Sequence, residues 1–131
     1  DGKVWLNRKP GMHSLNTETG EILWSTITDK ECKEIDTNCD PGISAAVTAI
    51  PGAVIAGHLD GMIRVYDKVT GNILWSFNSL GNYESVSGTP ASGGSFSGSG
   101  PSVRNGYMAI NSGYGIYNHM PGNALLLFSI D

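Results

Sequence analysis

Apolar and polar positions along this chain alternate in short runs, and one pair of runs occurs twice. Leu15-Asn16-Thr17-Glu18-Thr19-Gly20-Glu21-Ile22-Leu23-Trp24 returns 51 residues later as Tyr66-Asp67-Lys68-Val69-Thr70-Gly71-Asn72-Ile73-Leu74-Trp75. Each copy reads as an apolar strand, a tight polar turn carrying Thr-Gly, and a second strand ending in Trp. Gly20 and Gly71 fall where such a turn needs φ > 0. Ile22-Leu23-Trp24 and Ile73-Leu74-Trp75 supply the β-branched and aromatic side chains that strands favour.

The remaining runs fit around these hairpins. Strands are expected at residues 3–8, 12–16 and 22–27, then at 44–50, 53–57 and 63–67, and finally at 107–111 and 124–130. Pro10-Gly11, Pro51-Gly52 and Asp60-Gly61 mark turns between them. Helix-period patterns are missing and Gly is abundant, 18 of 131 residues, so the fold class is all-β. A hairpin recurring with a period near 50 is the signature of a propeller blade. Residues 44–78 form one complete four-stranded blade on this reading and residues 1–28 a partial one. Residues 85–131 form a last blade lacking its outermost strand. The Gly/Ser-rich passage 87–100 has linker composition, but the strand after it makes it inner-strand and loop material.

That is about two and a half blades, whereas a propeller closes with roughly 4–8. The expectation is a piece of a larger propeller, with Asp131 a natural C-terminus and Asp1 an internal boundary. The rival is a complete subunit that assembles into a ring.

Charge narrows the function classes. Eight Lys and Arg against twelve Asp and Glu, spread without blocks, give no basic face for nucleic acid. No apolar run approaches the roughly 18–20 residues of a membrane span. Cys32 and Cys39 share a polar loop of about 15 residues, and long loops in compact domains are usually functional. The pair reads as a loop-stapling disulfide, placing the protein outside the cytoplasm, or else as two free thiols in a reducing compartment. Neither C-x-x-C nor a c-type haem site is present. His13 and His58 sit in or beside strands without zinc-ligand spacing, and His119 stands alone in a loop. Gly98-Ser99-Gly100 is no nucleophile elbow.

The repeat resembles the tryptophan-docking motif, A-x-D-x-x-T-G-x-x-x-W, of propellers related to pyrroloquinoline quinone (PQQ) dehydrogenases. Asn16 replaces the motif's Asp in the first copy and should weaken one turn contact. A narrower resemblance rests on Arg8-Lys9-Pro10-Gly11 and on Cys39-Asp40-Pro41-Gly42 leading to Ser44-Ala45-Ala46-Val47-Thr48-Ala49-Ile50-Pro51-Gly52. Asn111-Ser112-Gly113-Tyr114-Gly115, Met120-Pro121-Gly122-Asn123 and Leu127-Phe128-Ser129-Ile130-Asp131 extend it. Together these are similar to the C-terminal end of polyvinyl-alcohol-dehydrogenase-like quinoproteins.

That resemblance implies an eight-bladed, exported, periplasmic or extracellular alcohol dehydrogenase. PQQ and Ca²⁺ would lie at the propeller axis, and a cytochrome c would accept the electrons. Trp24 and Trp75, with Gly20 and Gly71, would be structural wedges between blades. By position, Ile43-Ser44 and Gly115-Ile116, with Tyr114 beside them, match cofactor-facing places. Relatives usually carry aromatics there, so Ile43 and Ile116 are departures. Loops 28–43, 58–61, 79–86 and 112–122 would share the cofactor face. No segment matches the family's catalytic Asp or its cation ligands, so no catalytic or metal residue is assigned here. Asp36, Asp40, Asp60 and Glu84 read as solvated loop charges or turn formers. The rival from a different class is a non-enzymatic propeller serving as a binding or assembly scaffold. Upstream sequence discriminates, because a catalytic Asp beside a metal cluster supports the enzyme.

Overall fold

The structure is a computed structural model that describes residues 10–28, 39–115 and 117–130. The expected strand at 3–8, together with Cys32, Asp36 and Ile116, lies outside those residues. The described residues are all-β with no helix, as the alternation of runs requires. Strands β1 (Gly11–Leu15) and β2 (Ile22–Ile27) form a hairpin. Strands β3 (Thr48–Ile50), β4 (Ala53–Gly57), β5 (Met62–Asp67) and β6 (Ile73–Asn78) form a four-stranded antiparallel meander. A short hairpin of β7 (Asn82–Glu84) and β8 (Pro90–Ser92) follows. Strands β9 (Ser102–Arg104), β10 (Tyr107–Ser112) and β11 (Ala124–Ser129) make a three-stranded sheet.

Two expectations need correction. The strand predicted over 44–50 is only Thr48–Ile50, because Ala45 leaves the sheet to join the core. The inner strand of the last sheet is β9, beyond the Gly/Ser-rich passage rather than within it. The passage instead contributes β8 and a loop, since its Gly residues permit close backbone approach but pack no strand face.

Side-chain oxygens build the two repeated turns. Asp67 Oδ1 accepts from the backbone N–H groups of Val69 (2.9 Å) and Thr70 (2.7 Å) and from the Thr70 hydroxyl (3.0 Å). Asn16 Oδ1 accepts from Glu18 and Thr19 N–H only, while the Thr19 hydroxyl donates to Glu21. The Asn copy thus lacks one contact, as expected. Those bonds, backbone Thr70 first, hold the Asp67 carboxyl below its usual range. Gly20 and Gly71 take φ of 72° and 75°, the left-handed conformation that Cβ disfavours.

Two clusters bury the sheet faces. Met12, Ala56 and Tyr66, with Trp24, Ile43 and Val54 beside them, join the first hairpin to the four-stranded sheet. Ile55, Ile63, Phe96 and Ile110, with Phe77 and Phe128 around them, join that sheet to the third. Trp24 spans the first junction. Its Nε1–H donates to the Lys68 carbonyl at 3.0 Å, and its ring lies where a Cβ on Gly71 would come within 2.4 Å. Trp75 spans the second junction edge-on to Phe128, with centroids 5.6 Å apart. It stays 41% exposed, and among the described residues no strand pairs with the outer side of β11.

This contrast yields a paired test. Gly20 has nothing within 4 Å of its would-be Cβ, so Gly20→Ala should cost only the left-handed penalty of roughly 1–2 kcal/mol. Gly71→Ala carries the same penalty and also displaces the Trp24 ring, adding roughly 1–3 kcal/mol for overpacking. Urea unfolding midpoints measure the difference, and equal losses would show that Trp24 does not clamp the turn.

Candidate functional site

The connections at one end of the strands are tied together by backbone and hydroxyl hydrogen bonds. Leu59 N–H donates to Gly42 O (2.9 Å), Phe96 N–H to His58 O (3.1 Å), Ser95 N–H to Met120 O (2.9 Å) and Gly113 N–H to Ser95 O (2.9 Å). The Ser95 hydroxyl donates to Leu59 O and accepts from Met120 N–H. The hydroxyls of Ser79 and Ser112, both fully buried, lie 2.8 Å apart, so one donates to the other and a single proton remains for a carbonyl, Gly61 O from Ser79 or Gly94 O from Ser112. Loops from three sheets thereby become one surface. Small residues permit it: Phe96 lies where a Cβ on Gly57 would come within 2.5 Å, and the 120–121 backbone lies equally close to Gly94.

Beneath this surface lies a polar cluster that the sequence reading missed. His58 Nδ1 lies 2.8 Å from the Pro41 carbonyl, which can only accept, so Nδ1 carries the proton. Nε2 is then the acceptor of the Tyr66 hydroxyl at 2.8 Å. In the neutral imidazole, which burial favours, these two bonds fix one tautomer. Burial lowers its pKa below 6.5, helped by Arg64 and opposed by the Pro41 bond and Asp60. Burial likewise pushes Tyr66 up to about 12. Asp60, expected as a solvated turn former, forms the turn by accepting from Met62 N–H but is wholly buried. Its carboxylate takes a bidentate bond from Arg64, 2.7 and 3.1 Å. A carboxylate there is tolerated only because the guanidinium is paired with it. One signal was available in the sequence: an Arg inside an apolar strand requires a nearby counter-charge, and Asp60 stands four residues before it.

The positions matched to a cofactor face are distributed across this end. Ile43 packs with Met12, Ala56 and Tyr66 in the first junction. Ser44 is exposed. Tyr114, 59% exposed, donates its hydroxyl to Asn123 O at 2.7 Å. Gly115 is exposed between Ser97 and His119. Asp40 caps a turn by accepting from Gly42 N–H, and Glu84 is exposed on β7. A shallow cavity of about 410 Å³ opens between the β7–β8 hairpin and Gly122-Asn123. Among the described residues no group of three or more His, Cys, Asp or Glu could hold a metal, and Cys39 is not free. No helix among them is long and apolar enough to cross a membrane.

Antiparallel meanders packed face to face, with Trp at the junctions and their connecting loops gathered at one end, define a β-propeller type of protein. No protein-family model matches the chain. It is 35% identical to a polyvinylalcohol dehydrogenase of Pseudomonas sp over an alignment of 133 positions, covering 94% of this chain and 21% of that protein. It is 33% identical to a polyvinylalcohol dehydrogenase of Sphingopyxis sp. (strain 113P3), with the same coverage. The chain therefore spans about a fifth of the length of the curated relatives it matches, and the resemblance drawn from its motifs extends over nearly all of it.

His58 and Tyr66 contribute to the pH range of stability, beside Asp67 on the acid side and Tyr83 on the alkaline side. The unfolded chain takes up His protons below pH 6.5 while folded His58 resists, so stability falls as pH drops below 6.5. Folded Tyr66 holds its proton to about 12 against 10.0 when unfolded, so stability also falls as pH rises above 10. Unfolding midpoints against pH should show a plateau between these limits, and His58→Gln should flatten the acid side. Tyr66→Phe, which orphans Nε2, should cost roughly 1–3 kcal/mol on the plateau. An unchanged acid slope in His58→Gln would refute the assignment.

Proposed function

We propose that this chain is a propeller segment of an exported, PQQ-dependent alcohol dehydrogenase of the polyvinyl-alcohol-dehydrogenase type. The observation that carries the reading is similarity to polyvinylalcohol dehydrogenases along 94% of the chain. The open edge of β11 and the half-covered Trp75 agree with it, since both call for further blades of the same propeller.

The described loops fit a wall of a quinone site better than its ionic floor. Gly115 and Tyr114 are exposed at the loop face, with the Tyr114 hydroxyl bonded to Asn123 O. Residues 39–47, 58–61, 79–101 and 113–123 contain neither Lys nor Arg. Counter-ions for the PQQ carboxylates, the Ca²⁺ ligands and the catalytic Asp would come from other blades. PQQ, when bound, supplies the hydride acceptor for alcohol oxidation. This segment's own part is to shape the face, exclude water and fix the loops through the Ser95 and Ser79–Ser112 bonds. Electrons would pass to a cytochrome c.

A bridge between Cys32 and Cys39 belongs to the same proposal. It would staple the loop leading to Pro41, stabilise the fold by about 2.5 kcal/mol on the chain-entropy model, and suit a periplasmic or extracellular site.

A second reading, a non-enzymatic scaffold, is favoured by Ile43, which fills the junction core rather than offering an aromatic platform. Dye reduction by the full-length protein with PQQ, Ca²⁺ and a secondary alcohol separates the two. The dehydrogenase reading expects alcohol-dependent turnover in the full-length protein and none from the 131-residue chain alone. A folded full-length protein that neither binds PQQ nor turns over would leave the scaffold.

A further inference from the structure

The wholly buried imidazole of His58 joins two segments far apart in sequence. Nδ1 lies 2.8 Å from the carbonyl of Pro41, in the loop 39–43, and Nε2 lies 2.8 Å from the hydroxyl of Tyr66 on β5. The loop is fastened beside the ring at two further points. Leu59 N–H donates to Gly42 O at 2.9 Å, and Ile43 packs against Met12, Ala56 and Tyr66 at the first junction. Residues 41–43 thus help to close the ring off from water.

This arrangement suits only an uncharged ring. Pro41 O can only accept, so Nδ1 holds the proton and Nε2 takes the one from Tyr66. A second proton, on Nε2, would turn that acceptor into a donor. The Tyr66 oxygen could accept it only by turning its own hydrogen elsewhere, and Met12, Trp24, Ile43, Val54 and Ala56 around it offer no side-chain oxygen. The new charge would also lack a counter-ion. Among the described residues the charged groups that act on the ring are Arg64 and Asp60, opposite in sign. The Asp60 carboxylate is already held by two guanidinium nitrogens of Arg64. From the loop, Asp40 is exposed and bonded to Gly42 N–H. From the first hairpin, His13 bonds Ser25 and lies on the face of β1 opposite Met12. Ser95 and Phe96, which approach from the third side of the loop surface, do not ionise. A charge placed there without a partner must reach water.

We propose that His58 is the acid-sensitive latch of the 39–43 loop: its protonation releases the loop from Leu59 and from the first junction while the sheets stay folded. Release is the least disruptive way to hydrate the ring. It breaks the Gly42–Leu59 bond and the Ile43 packing but leaves every strand of the four-stranded sheet paired. The direction follows from linkage. Below pH 6.5 the open loop lets His58 take up a proton that the closed loop resists, so acid favours opening and neutral pH closes the latch again.

Residue-resolved hydrogen exchange in the full-length protein carrying this chain, followed from about pH 7.5 to 5, tests the latch. The opening constant at the Leu59 amide, corrected for intrinsic exchange, should grow about tenfold per pH unit below 6.5, as uptake of one proton requires. At every pH it should exceed the constant at the slowest amides of β10, which report global unfolding. His58→Gln keeps one donor for Pro41 and one acceptor for Tyr66 but cannot become charged, so its Leu59 amide should show no such slope. Equal opening constants at Leu59 and β10 would overturn the latch and leave His58 a contributor to global stability alone. A Leu59 constant indifferent to pH in the unaltered protein would overturn it without recourse to any variant. A slope that persists in folded His58→Gln would do the same.

Discussion

The indole of Trp24 against the Lys68–Gly71 turn is the contact on which the rest of this structure depends. A hairpin of two strands is marginal in water because it cannot bury its own apolar face. Here β1–β2 buries it by laying Met12 and Trp24 against Tyr66 and Ala56 of the next sheet. The indole N–H reaching the Lys68 carbonyl fixes the angle of that packing, and the absent side chain of Gly71 makes room for the ring. A sheet built this way presents, at its far side, the same need to its successor. Phe77 and Phe128 answer it at the second junction, with rings 5.0 Å apart and nearly perpendicular, an arrangement that aromatic quadrupoles favour.

Packing of this kind positions the loops. Once the sheets are clamped face to face, the connections at one end are close enough to bond one another, and serine hydroxyls complete the task. Ser79, Ser95 and Ser112 each bridge segments far apart in sequence while being fully buried. His58 does the same from below, tying Pro41 to Tyr66. The loop surface is thus held by polar groups that bond across several sheets at once.

The hairpins were legible in the sequence because their chemistry is local. An Asx residue, Thr-Gly and an apolar run ending in Trp specify a turn and a strand with no help from distant residues, and β2 and β4 fall where the pattern put them. Ser44-Ala45-Ala46-Val47 was less legible, since small apolar residues suit an inner strand and a packed loop equally; tertiary contact of Ala45 decided the matter. The β7–β8 hairpin gave no periodic signal in three-residue strands. Burial of Asp60, His58 and Ser79 was illegible for another reason: each is held by partners from other segments, and polar residues in short loops otherwise read as solvated.

Central to this account is the claim that the third sheet is unfinished and that Trp75 waits for the turn of a fourth strand beside β11. Amide hydrogen exchange across residues 124–129, measured in the intact natural protein and in the 131-residue chain alone, tests it most directly. The account predicts that the β11 amides directed away from β10 are protected in the intact protein and exchange freely in the chain alone, with Trp75 emission shifted to the blue only in the former. Equal, rapid exchange in both would contradict it, because β11 would then be a true edge and the propeller reading would lose its support at this junction.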